Sequence, residues 1–464
     1  MNPFVDMKIG VINESLETIS MLKQEGISFS GISAMEAKDI EQYASILIAG
    51  KIDNSEANLF KNYLEKGGAI VFDKVNRHLV SHICPKTSGS DVSTHGGCIS
   101  CHKAGNGYLI YIDKDLSREM EDRQSVVKEF LTEAGTVRER VALFPKYKNR
   151  EILSQALMLS FHIRNLPFVR IWYYPASCRS VFNFRFDLDE DTDSDLERVI
   201  GVSERFKDCT SWFVSCASFE KNRFKIKKLI EDGFDVQSHG YYHHTYKDAG
   251  QNELNIKKSI DYLHNLNVSA KGFVAPKGRW NEGLQMKLER YGFLYSSEFS
   301  LDYDNLPFYP VIQNRFSTVL QIPIHPVCWG SYKDAGIEND EGVEKYLEKV
   351  IINKYDNRLP ALIYGHPSEN ISKNPKLLEM IYSAAGSMKG LKATRLTDFA
   401  KWWSKRNRIG FRDLTFDTSR RILGYSLEDG ADFTDSCLNV RLKGDKSSYC
   451  GISSRKGDLL IDKL

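Results

Sequence analysis

Apolar positions along this chain recur at two different spacings, and the switches between them divide it into regions. Over residues 7–112, short apolar runs alternate with amphipathic stretches. Met7–Asn13, Ser28–Ile32, Ser45–Ala49, Ala69–Asp73 and Gly107–Ile112 read as strands, with Leu16–Glu25 and Asn54–Lys66 as helices between them. Gly67-Gly68 closes the second helix, as glycine often does just past a helix end. Ser117–Glu133 reads as a last helix. This alternation predicts a doubly wound α/β domain over residues 1–140. Residues 141–180 read as a connector, with a helical stretch at Arg150–Ile163 followed by Pro167 and Trp172-Tyr173-Tyr174-Pro175.

The alternation resumes over residues 181–406. Strands are predicted at Val181–Asp187, Ser211–Ser215, Asp235–Ser238, Gly272–Ala275, Phe293–Ser297, Val319–Ile324 and Ala361–Tyr364. Helical spacing fits Asp195–Phe206, Phe224–Asp232, Glu253–Leu266, Glu282–Tyr291, Gly342–Lys354, Pro375–Ala385 and Thr397–Lys405. Seven such strands predict a parallel (β/α) barrel, a fold whose chemistry gathers at the carboxyl ends of its strands. Asp187, Asp189, His239, Pro276, Glu298, His325 and His366 stand at or beyond those ends. Residues 407–464 change to short β-type runs (Ile409–Phe416, Ile422–Tyr425, Leu438–Leu442, Leu459–Ile461) and read as a small β-rich C-terminal region.

Composition narrows the classes. The 464 residues exceed one ordinary core, and 42% hydrophobic with 27% charged is the make-up of a globular protein. Lys+Arg at 63 against Asp+Glu at 61 gives no electrostatic case for nucleic acid or a membrane surface. No apolar run approaches a membrane span, and the first residues lack a secretory pattern, so a cytoplasmic location is expected. Nine scattered cysteines do not suggest a disulfide framework.

Chemistry concentrates in two places. Phe182-Asn183-Phe184-Arg185-Phe186-Asp187-Leu188-Asp189-Glu190 ends an apolar strand in two carboxylates spaced two apart, which leave a strand on one face. Some fifty residues later stands Ser238-His239-Gly240-Tyr241-Tyr242-His243-His244. One carboxylate with a His-x-x-x-His pair is a ligand set for zinc or a similar divalent ion, and the other carboxylate is left to accept a proton. Gly240 favours a loop over a helix for the histidine pair. Asp191, Asp193 and Asp195 read as helix-start residues.

Four segments, in order, carry a resemblance to the polysaccharide deacetylase (NodB homology, carbohydrate esterase family 4) superfamily. They are Phe186-Asp187-Leu188-Asp189-Glu190, Ser238-His239-Gly240-Tyr241-Tyr242-His243, Gly272-Phe273-Val274-Ala275-Pro276-Lys277-Gly278 and Ile363-Tyr364-Gly365-His366-Pro367. The resemblance implies Asp187 as catalytic base, Asp189, His239 and His243 as ligands of one divalent metal, most readily Zn, and His366 as general acid. It implies hydrolysis of an N-acyl or O-acyl group on a carbohydrate. The first segment is closer to a subgroup that includes hydrolases of non-sugar cyclic amides; that substrate class and a non-catalytic carbohydrate-binding role are the alternatives. The third segment departs from the family: Val274 stands where an Arg orients the base. Arg185, two residues before Asp187 and on its face, is the expected replacement, with Lys277 and Arg279 as other candidates. Tyr242, Pro276, Trp280 and His325 are candidate substrate contacts, and Tyr241 and Trp329 could add to an aromatic platform or simply pack.

Residues 7–112 resemble the glutamine amidotransferase-like (flavodoxin-like) superfamily, but no Cys follows Ala69–Asp73, where that family carries its nucleophile. Cys98-Ile99-Ser100-Cys101-His102 matches a haem-attachment spacing. With Cys84, His78, His82 and His95 nearby it could also hold a small metal or redox site, or be an ordinary loop. The expected partners are a carbohydrate or small amide and possible further copies of the chain, with no nucleic acid and no membrane span.

Overall fold

A computed structural model of the chain describes residues 4–32, 40–84, 92–94, 97–190, 193–368, 370–444 and 446–463. Two compact units emerge. One comprises Met1–Asp122, Lys148–Ser177 and Lys405–Leu464, the other Arg123–Tyr147 and Cys178–Ser404.

The first unit is built on a ten-stranded mixed sheet. Its parallel part runs Phe29–Ile32, Phe4–Ile12, Tyr43–Ile48, Ala69–Phe72, Gly107–Ile112, the order 2-1-3-4-5 of a doubly wound sheet. Strand alternation explains why both faces are covered: Leu47 enters one core cluster, while Ile46 and Ile48 enter another. Leu16–Glu25 is a helix over the predicted span, capped by Ser15 and ended by Gly26 at φ 68°. Asn54–Lys66 is two short helices, Asn54–Ala57 and Phe60–Glu65. The helical stretch predicted at Arg150–Ile163 begins earlier, at Lys146, and ends at His162. The β-type runs near the C-terminus do not form a separate appendage. Phe411–Asp417 pairs antiparallel with Phe4–Ile12, and Ile422–Leu427 and Lys456–Leu460 extend the same sheet.

The expected last helix Ser117–Glu133 is also corrected. A helix covers only Leu116–Glu121, and Ser125–Leu131 then pairs with Thr136–Ala142 as an antiparallel hairpin of the second unit. Val126-Val127 and the Val137/Val141 alternation favour the pleat, and Gly135 at φ 143° closes the turn.

The second unit holds a curled parallel sheet. All seven predicted strands are in it, as Ser180–Leu188, Thr210–Val214, Asp235–Ser238, Gly272–Phe273, Tyr295–Ser296, Leu320–Gln321 and Ala361–Gly365, and Leu391–Ala393 adds an unpredicted eighth beside the first. Among the described residues the ladder does not close into a complete barrel between the sixth and seventh strands; one backbone bond, His325 N–H to the Leu362 carbonyl at 3.1 Å, spans that gap. The first strand is buried along its whole length. Phe182, Phe184, Phe186 and Leu188 pack into the main core of this unit, which leaves Asn183, Arg185 and Asp187 on the opposite face.

Candidate metal and hydrolytic centre

Arg185, Asp187 and Asp189 lie at i, i+2 and i+4 of the first strand and its exit, and all three line one cavity of about 410 Å³. His239 and His243 come from the loop after the third strand. His239 Nε2 lies 3.1 Å and His243 Nε2 3.3 Å from Asp189 Oδ1. These are the only three His, Cys, Asp or Glu residues among those described that could share one ion. His366, after the seventh strand, brings Nε2 to 3.5 Å from Asp189 Oδ2.

The supporting contacts orient these groups. His239 donates from Nδ1 to the Val274 carbonyl at 2.8 Å, which leaves Nε2 as the nitrogen free to ligate an ion. The histidine loop turns at Gly240, φ 82°, where a Cβ would meet Asn255 and the Tyr242 carbonyl. Asn255, buried on helix Ala249–His264, accepts from the Tyr241 and Tyr242 N–H groups at 3.0 and 2.7 Å and donates to the Tyr242 and His244 carbonyls at 3.1 and 3.0 Å. Sequence reading passed over Asn255; its only signal was a polar residue at a position of the helix that faces inward.

Arg185 is 1% exposed and donates from Nη2 to Asp187 Oδ2 at 2.8 Å. Its Nη1 donates to the Ser297 carbonyl and hydroxyl at 2.9 and 3.2 Å, and its plane lies over the Tyr364 ring, 4.8 Å from the centroid. Asp187 Oδ1 is buried without a hydrogen-bond partner. Electrostatics follow from this crowding. Burial works to raise the Asp189 carboxyl, but the imidazoles around it outweigh that and hold it well below the usual carboxylate range. Burial, then the neighbouring His239, pushes His243 down to about 4, so it is neutral and able to ligate at neutral pH. Burial pushes the carboxyl of Glu298, reached by the Ala275 N–H and the Gln321 amide, up to about 7.

The four candidate substrate contacts are not among the cavity's lining. Tyr242 is 44% exposed, with its hydroxyl against Lys258. Pro276 is buried at the start of the turn Pro276–Gly278. Trp280 is tied by its indole N–H to Gln285 at 2.9 Å. His325 is buried between Asp304, at 3.0 Å, and the Tyr346 hydroxyl, at 3.1 Å. Tyr241 bonds Glu220, and Trp329 packs in the core. The lining instead draws on Glu139 and Arg140 of the hairpin, on Lys277 and Arg279, and on Ser331, which donates to Glu139 at 2.8 Å.

In the first unit, Cys101 is buried in the core, Cys84 donates to the Lys103 carbonyl and His102 bonds Ser100. They form no three-residue metal group among the described residues, and all nine cysteines are free. His95 and Asp191 lie outside the described residues. Asp73, where an amidotransferase thiol would follow, caps a short turn and accepts from the Val75 and Leu116 N–H groups.

No family model matches the chain. It is similar to a peptidoglycan deacetylase of Helicobacter pylori, 24% identical over 178 residues, 38% of this chain and 58% of that protein. It is also similar to the peptidoglycan deacetylase-like protein FGM2 of Gibberella zeae, 32% identical over 108 residues, 23% of this chain and 30% of that protein. The chain therefore spans only 58% and 30% of the length of these two curated relatives. A crystal structure bearing the name of a polysaccharide deacetylase of Mycobacterium smegmatis aligns with a TM-score of 0.45 at 18% identity, over 50% of this chain and 93% of the other. Among the described residues no helix is long and apolar enough to cross a membrane.

Proposed function

We propose that the second unit is a metal-dependent hydrolase of the polysaccharide deacetylase type, removing an acyl group from an amino sugar. The observation that carries this is the buried Asp187 with one oxygen held by Arg185 and the other without a partner, beside Asp189, His239 and His243. Two imidazoles and a carboxylate suit a zinc-like ion. His239 presents Nε2 because its Nδ1 is committed to Val274, and Asp189 Oδ1 is buried without a hydrogen-bond partner of its own. A divalent ion held there supplies Lewis acidity to the attacking water and the acyl carbonyl.

The chain's own groups do the rest. Asp187 takes the proton of the attacking water on Oδ1. Arg185 holds Asp187 and fixes its direction, in place of the Arg that the related proteins' motif has where Val274 stands here. His366, protonated, gives a proton to the departing amine, since an amide anion is too costly to expel. The names of the two curated relatives favour an acylated amino sugar over a cyclic amide.

The test is metal content and acetate release from N-acetylglucosamine oligomers. The purified protein should bind one divalent ion, and a His239→Ala/His243→Ala variant none. Equal metal in both removes the centre. Stoichiometric metal with hydrolysis of cyclic amides and not of the oligomers selects the alternative substrate.

A further inference from the structure

Three cations at the mouth of the cavity have no part in the chemistry above. Arg140 comes from the hairpin, Lys277 and Arg279 from the turn after the fourth strand, and all three are exposed and line the cavity. Arg140 donates to the Ser125 carbonyl at 3.1 Å. Among the described residues none of the three has a carboxylate partner. Several other exposed arginines of this unit are paired, among them Arg123 with Glu282, Arg138 with Glu129 and Arg315 with Glu289.

The lining's four carboxylates do not answer these cations. Asp187 is held by Arg185, Asp189 belongs to the cation site, and Glu139 accepts from Ser331, which leaves Asp334 at the rim. With Arg185 counted, the lining's four cations equal its four carboxylates, so a divalent ion on Asp189 would tip the wall to positive. Lys277 also sits at φ 58°, ψ 26°, where a side chain costs what glycine avoids. Gly278 follows at φ 59°, against the Phe299 ring, where any Cβ would collide. This double left-handed turn holds two basic side chains over the opening.

The geometry points to a substrate that carries a fixed negative charge, a carboxylate or a phosphate, on or beside the acylated sugar, bound by Lys277, Arg279 and Arg140. This deepens the hydrolase reading and rests on it for the sugar, but its test reads binding. The 464-residue chain, zinc-supplemented, is titrated calorimetrically with N-acetylglucosamine, N-acetylmuramic acid and N-acetylglucosamine 1-phosphate. At least one anionic sugar should bind tenfold or more tightly than the neutral one, and raised salt should shrink the advantage. Tightening by the carboxylate sugar alone or by the phosphate sugar alone names the source of the charge. Lys277→Gly, which removes the charge while relieving the backbone, and Arg279→Gln should each cut the advantage severalfold. Equal affinity for all three sugars, no measurable binding of either anion, or an advantage untouched by both substitutions and by Arg140→Gln overturns the assignment. Anionic preference without acetate release leaves this assignment standing and removes the sugar deacetylase reading; acetate release without anionic preference does the reverse.

Discussion

Each unit buries a carboxylate against arginine, and the two end differently. In the first unit, Glu25 is 1% exposed; Arg150 pairs with one oxygen, while Arg170, Ser154 and Tyr173 reach the other at 2.5, 2.7 and 2.8 Å. In the second, Asp187 lines a cavity and is clasped on one oxygen by Arg185, while its other oxygen is buried without a hydrogen-bond partner. A buried polar group normally finds its partners, and one left without them needs a reason. Glu25 has the saturated shell of a structural cluster. Asp187 has a half-filled shell, as its proposed role as a base requires.

The largest effects should separate these two roles. Asp187→Asn keeps shape but removes the proton acceptor, and turnover should fall about 10²–10⁴-fold, the usual worth of a positioned base. Glu25→Gln leaves Arg150 and Arg170 buried around a neutral amide and should cost about 3–5 kcal/mol in chemical denaturation, with turnover per folded molecule kept. A silent Glu25→Gln or an active Asp187→Asn dissolves the contrast.

Acid sharpens it. Burial alone would raise the Glu25 carboxyl, but the two guanidiniums, Ser154 and Tyr173 bring it down from 4.5 to about 2. A depressed carboxyl stabilises the fold above its unfolded pKa, and that stability is lost as pH falls from 4.5 towards 2. The loss should approach about 3 kcal/mol, and the Glu25→Gln protein should lack this slope between those limits. Below these in size is Arg185→Met. Without its cation Asp187 is less well held, so turnover should drop about 10–100-fold while bound metal stays, because Arg185 touches none of the proposed ligands. Loss of metal along with turnover would make Arg185 a part of the fold alone.

Much of the second unit was legible because strand period and side-chain direction are local. Two-residue spacing puts Arg185, Asp187 and Asp189 on one face from the sequence alone, and Gly240 marks the histidine pair as a loop. What was missed depends on partners or on loop geometry. The runs after residue 407 read as strands, but nothing local says that Phe411–Asp417 pairs with Phe4–Ile12, some four hundred residues away. The hairpin bearing Glu139 and Arg140 was obscured by Lys and Glu within Ser125–Leu131, which suit an exposed helix as well as an exposed strand. Tyr242, Pro276, Trp280 and His325 follow strand ends in sequence, but side chains on loops have no fixed period. Tyr242 turns away from the cavity that its neighbour His243 lines.

The smallest expected effect tests whether that loop is held by a single residue. Asn255 uses both ends of its amide on the backbone of 241–244, so the loop that carries His239 and His243 is tied to the helix Ala249–His264. Asn255→Ala orphans two N–H groups and should cost about 1–3 kcal/mol in stability. Because it frees the loop that carries the ligands, metal affinity should fall about 10–100-fold, as when a supporting contact of a metal ligand is removed. Asn255→Asp restores the two acceptors but not the donors, and should recover part of that affinity. If Asn255→Ala lowers stability with metal affinity unchanged, the loop holds its shape without Asn255, and the two histidines are set by Val274 and Asp189 alone.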